Sequence, residues 1–181
     1  VKASMEMAAR LNELGMPVIL SDWSAPDWAI VGKRSWRPRA DGTRGNPLDE
    51  TKMELIYTSI ADYIQYVKDE YGFEFVMFSF NESDLGINVR QTAEEHAAFI
   101  KGLGAYLESR GIKTKLLLGD TADADGWPFV EEAINDKSTH KYIGAVSFHS
   151  WRGYSDENLA KWANAAERMN LPLLVGEGSM D

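Results

Sequence analysis

The 181-residue sequence contains no cysteine. That excludes disulfides and thiolate chemistry, and it leaves the redox compartment undecided. Positive charge is also scarce: 19 Lys and Arg stand against 28 Asp and Glu, for a net charge of −9 and a pI near 4.9. With no basic cluster to set against that balance, nucleic acid and anionic membrane surfaces are disfavoured as partners. No apolar run approaches the roughly 20 residues that a bilayer-spanning helix needs. The helical pattern begins with the first residues (Met7, Leu11, Leu14, then Gly15), so a leader peptide is not visible and would have to lie upstream. Two further absences concern chemistry. Ser21-Asp22-Trp23-Ser24 follows the first strand-like run where a nucleotide-binding sheet would carry glycines, and no Gly-x-Ser-x-Gly elbow occurs. An open-sheet phosphatase or esterase therefore ranks last.

What is present is a soluble, core-forming composition, 44% hydrophobic and 26% charged. Five continuous apolar runs read as strands covered on both faces: 18–20, 75–80, 115–118, 143–148 and 171–175. Helical stripes separate them. Ile56, Ile60, Ile64 and Val67 form one, and Phe99, Ile100, Leu103 and Leu107 form another behind a Thr92-x-x-Glu95 capping box. Trp127-Pro128 opens a third helix, and Leu159 to Met169 mark a fourth, ended before Pro172. The alternation predicts a parallel α/β sheet with right-handed crossovers in one domain over residues 1–181. A (β/α)₈ barrel fits better than an open nucleotide-binding sheet. Since a whole barrel takes about 250 residues, five strands in this length predict an incomplete one, with unpaired edges beside Ile19 and Leu173.

In such a barrel the residues just past each strand face a common mouth. Here they are Asp22 and Trp23, Asn81 and Glu82, Asp120, His149 with Trp151 close behind, and Glu177. Glu82 and Glu177 each follow an apolar strand, lie three strands apart, and can oppose one another across the mouth. Two opposed carboxyl groups are what glycoside hydrolysis needs: one acid for the leaving oxygen and one carboxylate facing the anomeric carbon. Asn81, beside the acid, can hydrogen-bond a sugar 2-hydroxyl. Trp23, Trp28, Trp36, Trp127 and Trp151 fall in or near the mouth loops, where indoles can stack on sugar faces or simply plug gaps; Trp162 lies on a helix face. His149 either tunes the carboxylates or is a neutral histidine satisfied by backbone, and Asp22 either binds hydroxyls or caps its own loop. The segment 33–47, rich in Arg, Gly and Pro, is either a floppy insertion or a wall of the cleft. His96 and His140 read as surface residues. Asp123, Asp125, Gly126 and Glu132 mimic a calcium loop, but Thr121 occupies the first ligand position and the flanking helices do not fit, so no metal is expected there.

These residues carry a resemblance. Asn81-Glu82 at one strand end and Glu177 three strands later resemble the glutamate pair of the clan A glycoside hydrolases, and "LSDWSAPDWAI" (20–30) is similar to the Trp-Ser-Pro-Pro-x-Trp stretch of family 30, with family 5 second. The resemblance implies strands three to seven of a retaining barrel, with Glu82 as acid/base, Glu177 as nucleophile and Asn81 at the 2-hydroxyl. It implies a β-linked oligo- or polysaccharide as the partner, no cofactor, and a secreted or periplasmic location. Asp22, Trp23, Trp28, His149 and Trp151 are the further candidate substrate contacts. Three positions depart from the family pattern: Ala25 replaces a Pro, no Pro follows the glutamate in "FSFNES", and Trp151 stands where an aromatic hydroxyl is common. The last leaves open which group steadies the nucleophile. The alternative reading is an inactive, carbohydrate-binding barrel.

Overall fold

The computed structural model describes residues 2–178. Helices and strands alternate: α1 (Lys2–Glu13), β1 (Ile19–Asp22), β2 (Asn46–Pro47), α2 (Met53–Tyr71), β3 (Met77–Phe80), β4 (Val89–Arg90), α3 (Ala93–Ser109), β5 (Lys115–Thr121), α4 (Glu131–Asn135), β6 (Ile143–Phe148), α5 (Asp156–Met169) and β7 (Leu173–Val175). All five strands expected from the sequence form, with ends displaced by up to two residues except β5, which runs three residues further. The short pair β2 and β4 has no counterpart in the apolar pattern.

The main sheet is parallel throughout, in the order β1-β3-β5-β6-β7. Spatial order equals chain order, so every crossover steps the same way round. A doubly wound sheet reverses direction at its switch point; a barrel does not. The fold is therefore an α/β barrel arc, with β1 and β7 at its edges among the described residues. Because the strands are parallel, all five C-terminal ends lie on one rim.

The two faces of β3 show how the arc packs. Phe78 and Phe80 face outward onto Phe99 of α3, with ring centroids 6.3 and 5.3 Å apart. Ser79, pointing the other way, faces the site. α3 begins at a capping box in which Thr92 accepts from Glu95 N and Glu95 accepts from Thr92 N, as its sequence foretold. Trp162 of α5 is fully buried, stacked on Phe148 of β6 and donating to Ala124 O.

Candidate active site at the rim of the arc

β5 carries an irregularity that builds the centre of the site. Its pairing with β6 slips between Gly119 and Thr121, so Asp120 is an extra residue in a left-handed conformation (φ 53°). Bulges of this kind re-aim a side chain. Gly119 makes the slip possible: it has φ 94°, and a Cβ there would collide with Ser147 O. Glu82, one residue past Asn81 at the end of β3, is also left-handed (φ 48°), and its N–H donates to Asp120 O at 3.0 Å. Two non-glycine residues in this sparsely populated region, tied to each other, are the kind of strain that collects at functional sites.

Around them a buried polar cluster closes. His149 Nδ1 lies 2.9 Å from Glu82 Oε1 and 3.8 Å from Glu177 Oε2, and its Nε2 lies 3.2 Å from Asp120 Oδ1. Ser79 donates to Asp120 Oδ2 at 2.7 Å and Ser21 at 3.3 Å. Both imidazole nitrogens thus face carboxylate oxygens, an arrangement that suits a doubly protonated ring. Burial alone would lower the His149 pKa, but hydrogen bonds to Asp120 and Glu82 outweigh it, and with the charges of Asp120 and Glu177 they push it up to about 9. Glu82, His149 and Glu177 bring one ligand-type atom each within 4.8 Å of one another. Such a trio could hold a divalent ion only by displacing the proton from the His149 nitrogen that faces the two carboxylates.

Asn81 is buried beside this cluster. Its Oδ1 accepts a long hydrogen bond from Ser21 (3.5 Å), while its Nδ2 has no partner among the described residues. A buried amide left unsatisfied costs stability unless something else completes it.

Asp22 stands apart. It is the register partner of Phe80, so it shares the helix-facing side of the sheet, whereas Ser21 partners Ser79 and reaches the cluster. Asp22 accepts from Ser24 N at 3.1 Å, the loop-capping role, and with Trp28 and Tyr63 it lines a cavity of about 410 Å³ between β1 and α2. Burial raises its pKa. Trp23, Trp28, Trp36 and Trp151 are exposed on the rim loops, while Trp127 packs edge-on against Trp162 and donates to Glu131. The calcium-like loop is tied to the loop after β6, with Asp123 paired to Arg152 at 2.7 Å.

Three features escaped the sequence reading. Asp120 was visible at a strand end but not as the residue that holds His149. Asp84 accepts from Ala122 N at 3.0 Å, joining the loop after β3 to the end of β5, and burial pushes its pKa up to about 6. His96 is buried rather than on the surface, accepting from Gly119 N at 3.2 Å, facing Gln91 Oε1 at 3.3 Å and stacked on Phe129. Its place on the α3 stripe, three residues before Phe99 and four before Ile100, was the available signal. His140 is half-buried, its ring 2.9 Å from Ile134 O.

The chain matches no protein-family model and no curated protein, whereas solved structures share its fold. SrfJ from Salmonella typhimurium is 24% identical with a TM-score of 0.73, the match covering 96% of this chain and 39% of SrfJ. An endo-beta1,6-glucanase is 20% identical with a TM-score of 0.72, covering 89% of this chain and 36% of its own. A glycoside hydrolase family 30 subfamily 8 xylanase from Clostridium acetobutylicum is 18% identical with a TM-score of 0.71, covering 94% and 42%. The chain thus spans about two fifths of the length of these structures. In fold, nearly the whole chain is similar to part of these structures, clan A glycoside hydrolases of family 30 among them, and its own fold is an incomplete (β/α)₈ barrel.

Proposed function

We propose that residues 1–181 are one partial catalytic domain of a retaining β-glycosidase of the family 30 kind, cleaving a β-linked oligo- or polysaccharide through a covalent glycosyl-enzyme intermediate. One observation carries the reading: an oxygen of Glu82 and an oxygen of Glu177 lie within 4.8 Å of each other, with His149 against both. Retaining enzymes hold their carboxyl groups about 5 to 5.5 Å apart, and inverting ones about 6.5 to 9.5 Å, to admit a water.

In this reading Glu177 attacks the anomeric carbon while Glu82 gives its proton to the departing oxygen. A water that Glu82 deprotonates then breaks the glycosyl ester. The charge on His149 serves both halves of the cycle. Before attack the anion near it is Glu177, and Glu82 can accept its Nδ1–H through the carbonyl oxygen while holding the acidic proton on the other. After attack Glu177 is a neutral ester and Glu82 is the anion, closer to the same Nδ1–H. One fixed cation so balances a negative charge that changes residue, with little reorganisation. The unpartnered Nδ2 of Asn81 is the donor available to the 2-hydroxyl, a bond that strengthens as oxocarbenium charge develops.

The substrate class is supported by the names of fold neighbours, xylanases and a glucanase among them. Among the described residues no helix is long and apolar enough to cross a membrane. An exported Bacteroides fragilis protein shares the fold (TM-score 0.64, 16% identity, covering 91% of this chain and 39% of its own), which supports action outside the cytoplasm.

The test is covalent trapping with 2-deoxy-2-fluoro glycosides, followed by peptide mass mapping and by hydrolysis assays of Glu82→Gln and Glu177→Gln. An adduct on Glu177, with loss of activity of at least about 1,000-fold in both variants, is expected. Wild-type activity in both would end the proposal. Sugar binding without any turnover or adduct would instead identify an inactive carbohydrate-binding barrel.

A further inference from the structure

The long connection from β1 to α2 is neither floppy nor independent of the catalytic loop. Arg44 N donates to Leu85 O at 2.8 Å and Asn46 N to Asn88 O at 3.0 Å, and β2 pairs with β4 in parallel. The approach is so close that a Cβ on Gly45 would collide with Gly86 O and Asn88 O, and one on Gly86 with Arg44 O. From this seam Asn46 reaches back, donating to Val31 O at 2.9 Å and Lys33 O at 3.1 Å and accepting from Ser35 N at 2.9 Å. The next residue is Trp36. Its indole N–H donates to Asn88 Oδ1, yet the side chain is among the most exposed large apolar groups in the protein, at 58%. The residues leading into Trp36 and its ring edge are held, and the ring itself is bare. An immobilised exposed aromatic has already lost the freedom that stacking would otherwise cost it.

We infer that Trp36, held by Asn88, is a stacking platform for a sugar ring on the leaving-group side of the scissile bond. The inference rests on the proposed reaction. Asn88 lies on the loop that leaves Glu82, and the group protonated by Glu82 is the departing one, so the wall built on that loop flanks the departing ring. It follows that the substrate has a sugar, not a small aglycone, as its leaving group.

The experiment compares kcat/KM for a β-linked oligosaccharide with that for the β-glycosyl fluoride of the same sugar, whose leaving group has no ring to stack. Trp36→Ala is expected to lower the ratio of the two by about tenfold or more. Trp36→Phe, which keeps a ring face, should lower it less, and Asn88→Ala, which frees the ring edge, should fall between. A ratio within twofold of wild type in Trp36→Ala overturns the inference even where Glu82 and Glu177 behave as proposed. Should the wild type cleave nothing, the catalytic reading fails on its own account, and calorimetric titration with the oligosaccharide decides this one: at least tenfold weaker binding by Trp36→Ala upholds the platform, and unchanged binding removes it.

Discussion

His96 and His149 are both buried, and they are in opposite states. His96 meets a peptide N–H, an amide oxygen and a phenyl ring, and burial pushes its pKa down to about 4 despite the charge of Asp120. Accepting from Gly119 N at Nε2 leaves its proton on Nδ1, facing Gln91 Oε1, which also accepts from Ser83. His149 meets carboxylates at both nitrogens and is pushed up to about 9. Burial opposes the charge at both sites, so the partners decide. The two are also joined in series. His96 holds Gly119, whose neighbour Asp120 holds His149, while Gln91 holds Ser83, whose neighbour is Glu82. A neutral histidine supports the two strained residues between which the charged one works.

The sharpest break of this comparison is His149→Asn, which keeps a hydrogen-bond donor and removes the charge. A loss of about 10² to 10³ in kcat/KM is expected, the usual cost of removing a preorganised electrostatic partner. A loss under tenfold would mean that the cation is structural.

Stability should depend on pH with opposite sign at the two sites. The folded pKa of His96 lies below the unfolded 6.5, so the unfolded chain binds the proton first, and its contribution falls as pH drops from 6.5 to 4. For His149 the folded value lies above 6.5; its contribution is fully present below 6.5 and is lost as pH rises to 9. Urea unfolding of wild type, His96→Gln and His149→Asn from pH 4 to 9 reads this directly. His96→Gln should flatten only the acid side and His149→Asn only the alkaline side, and slopes of the same sign would refute the contrast.

The same pair marks what the sequence could tell. The strands were legible because each, covered on both faces, is a continuous apolar run, and parallel pairing then brought Glu82, Asn81, His149 and Glu177 to one rim. Ser21 and Asp22 were harder, since a period of two decides which of two neighbours faces the site and no local feature shows the register. Asp120 depends on a bulge against β6, a strand more than twenty residues later. His96 was hidden by its own surroundings, as Glu94 and Glu95 make the first turn of α3 read as solvent-facing. The β2/β4 seam is made of backbone bonds across some forty residues, with no side-chain pattern to announce it.

Asp120→Asn is the mildest and most specific probe of how the two histidines are linked. The amide is nearly the same size, it can still accept from Ser79 through its oxygen, and Glu82 N still has the residue 120 carbonyl to bond. What disappears is the Asp120 charge and, because the amide NH2 takes the place of Oδ1, the acceptor facing His149 Nε2. The His149 titration, followed by NMR, should then move down from about 9 by at least one unit, and kcat/KM should fall about tenfold, with the loss growing as pH rises through the new value. His96, which the Asp120 charge holds up against burial without direct contact, should move slightly further down from about 4, by less than His149 does. If His96 instead moved up toward 6.5, its bond from Gly119 N would have been lost and the bulge itself would have rearranged. If neither moved, Glu82 and Glu177 would be sufficient to keep His149 charged, and Asp120 would be holding the ring in place without setting its charge.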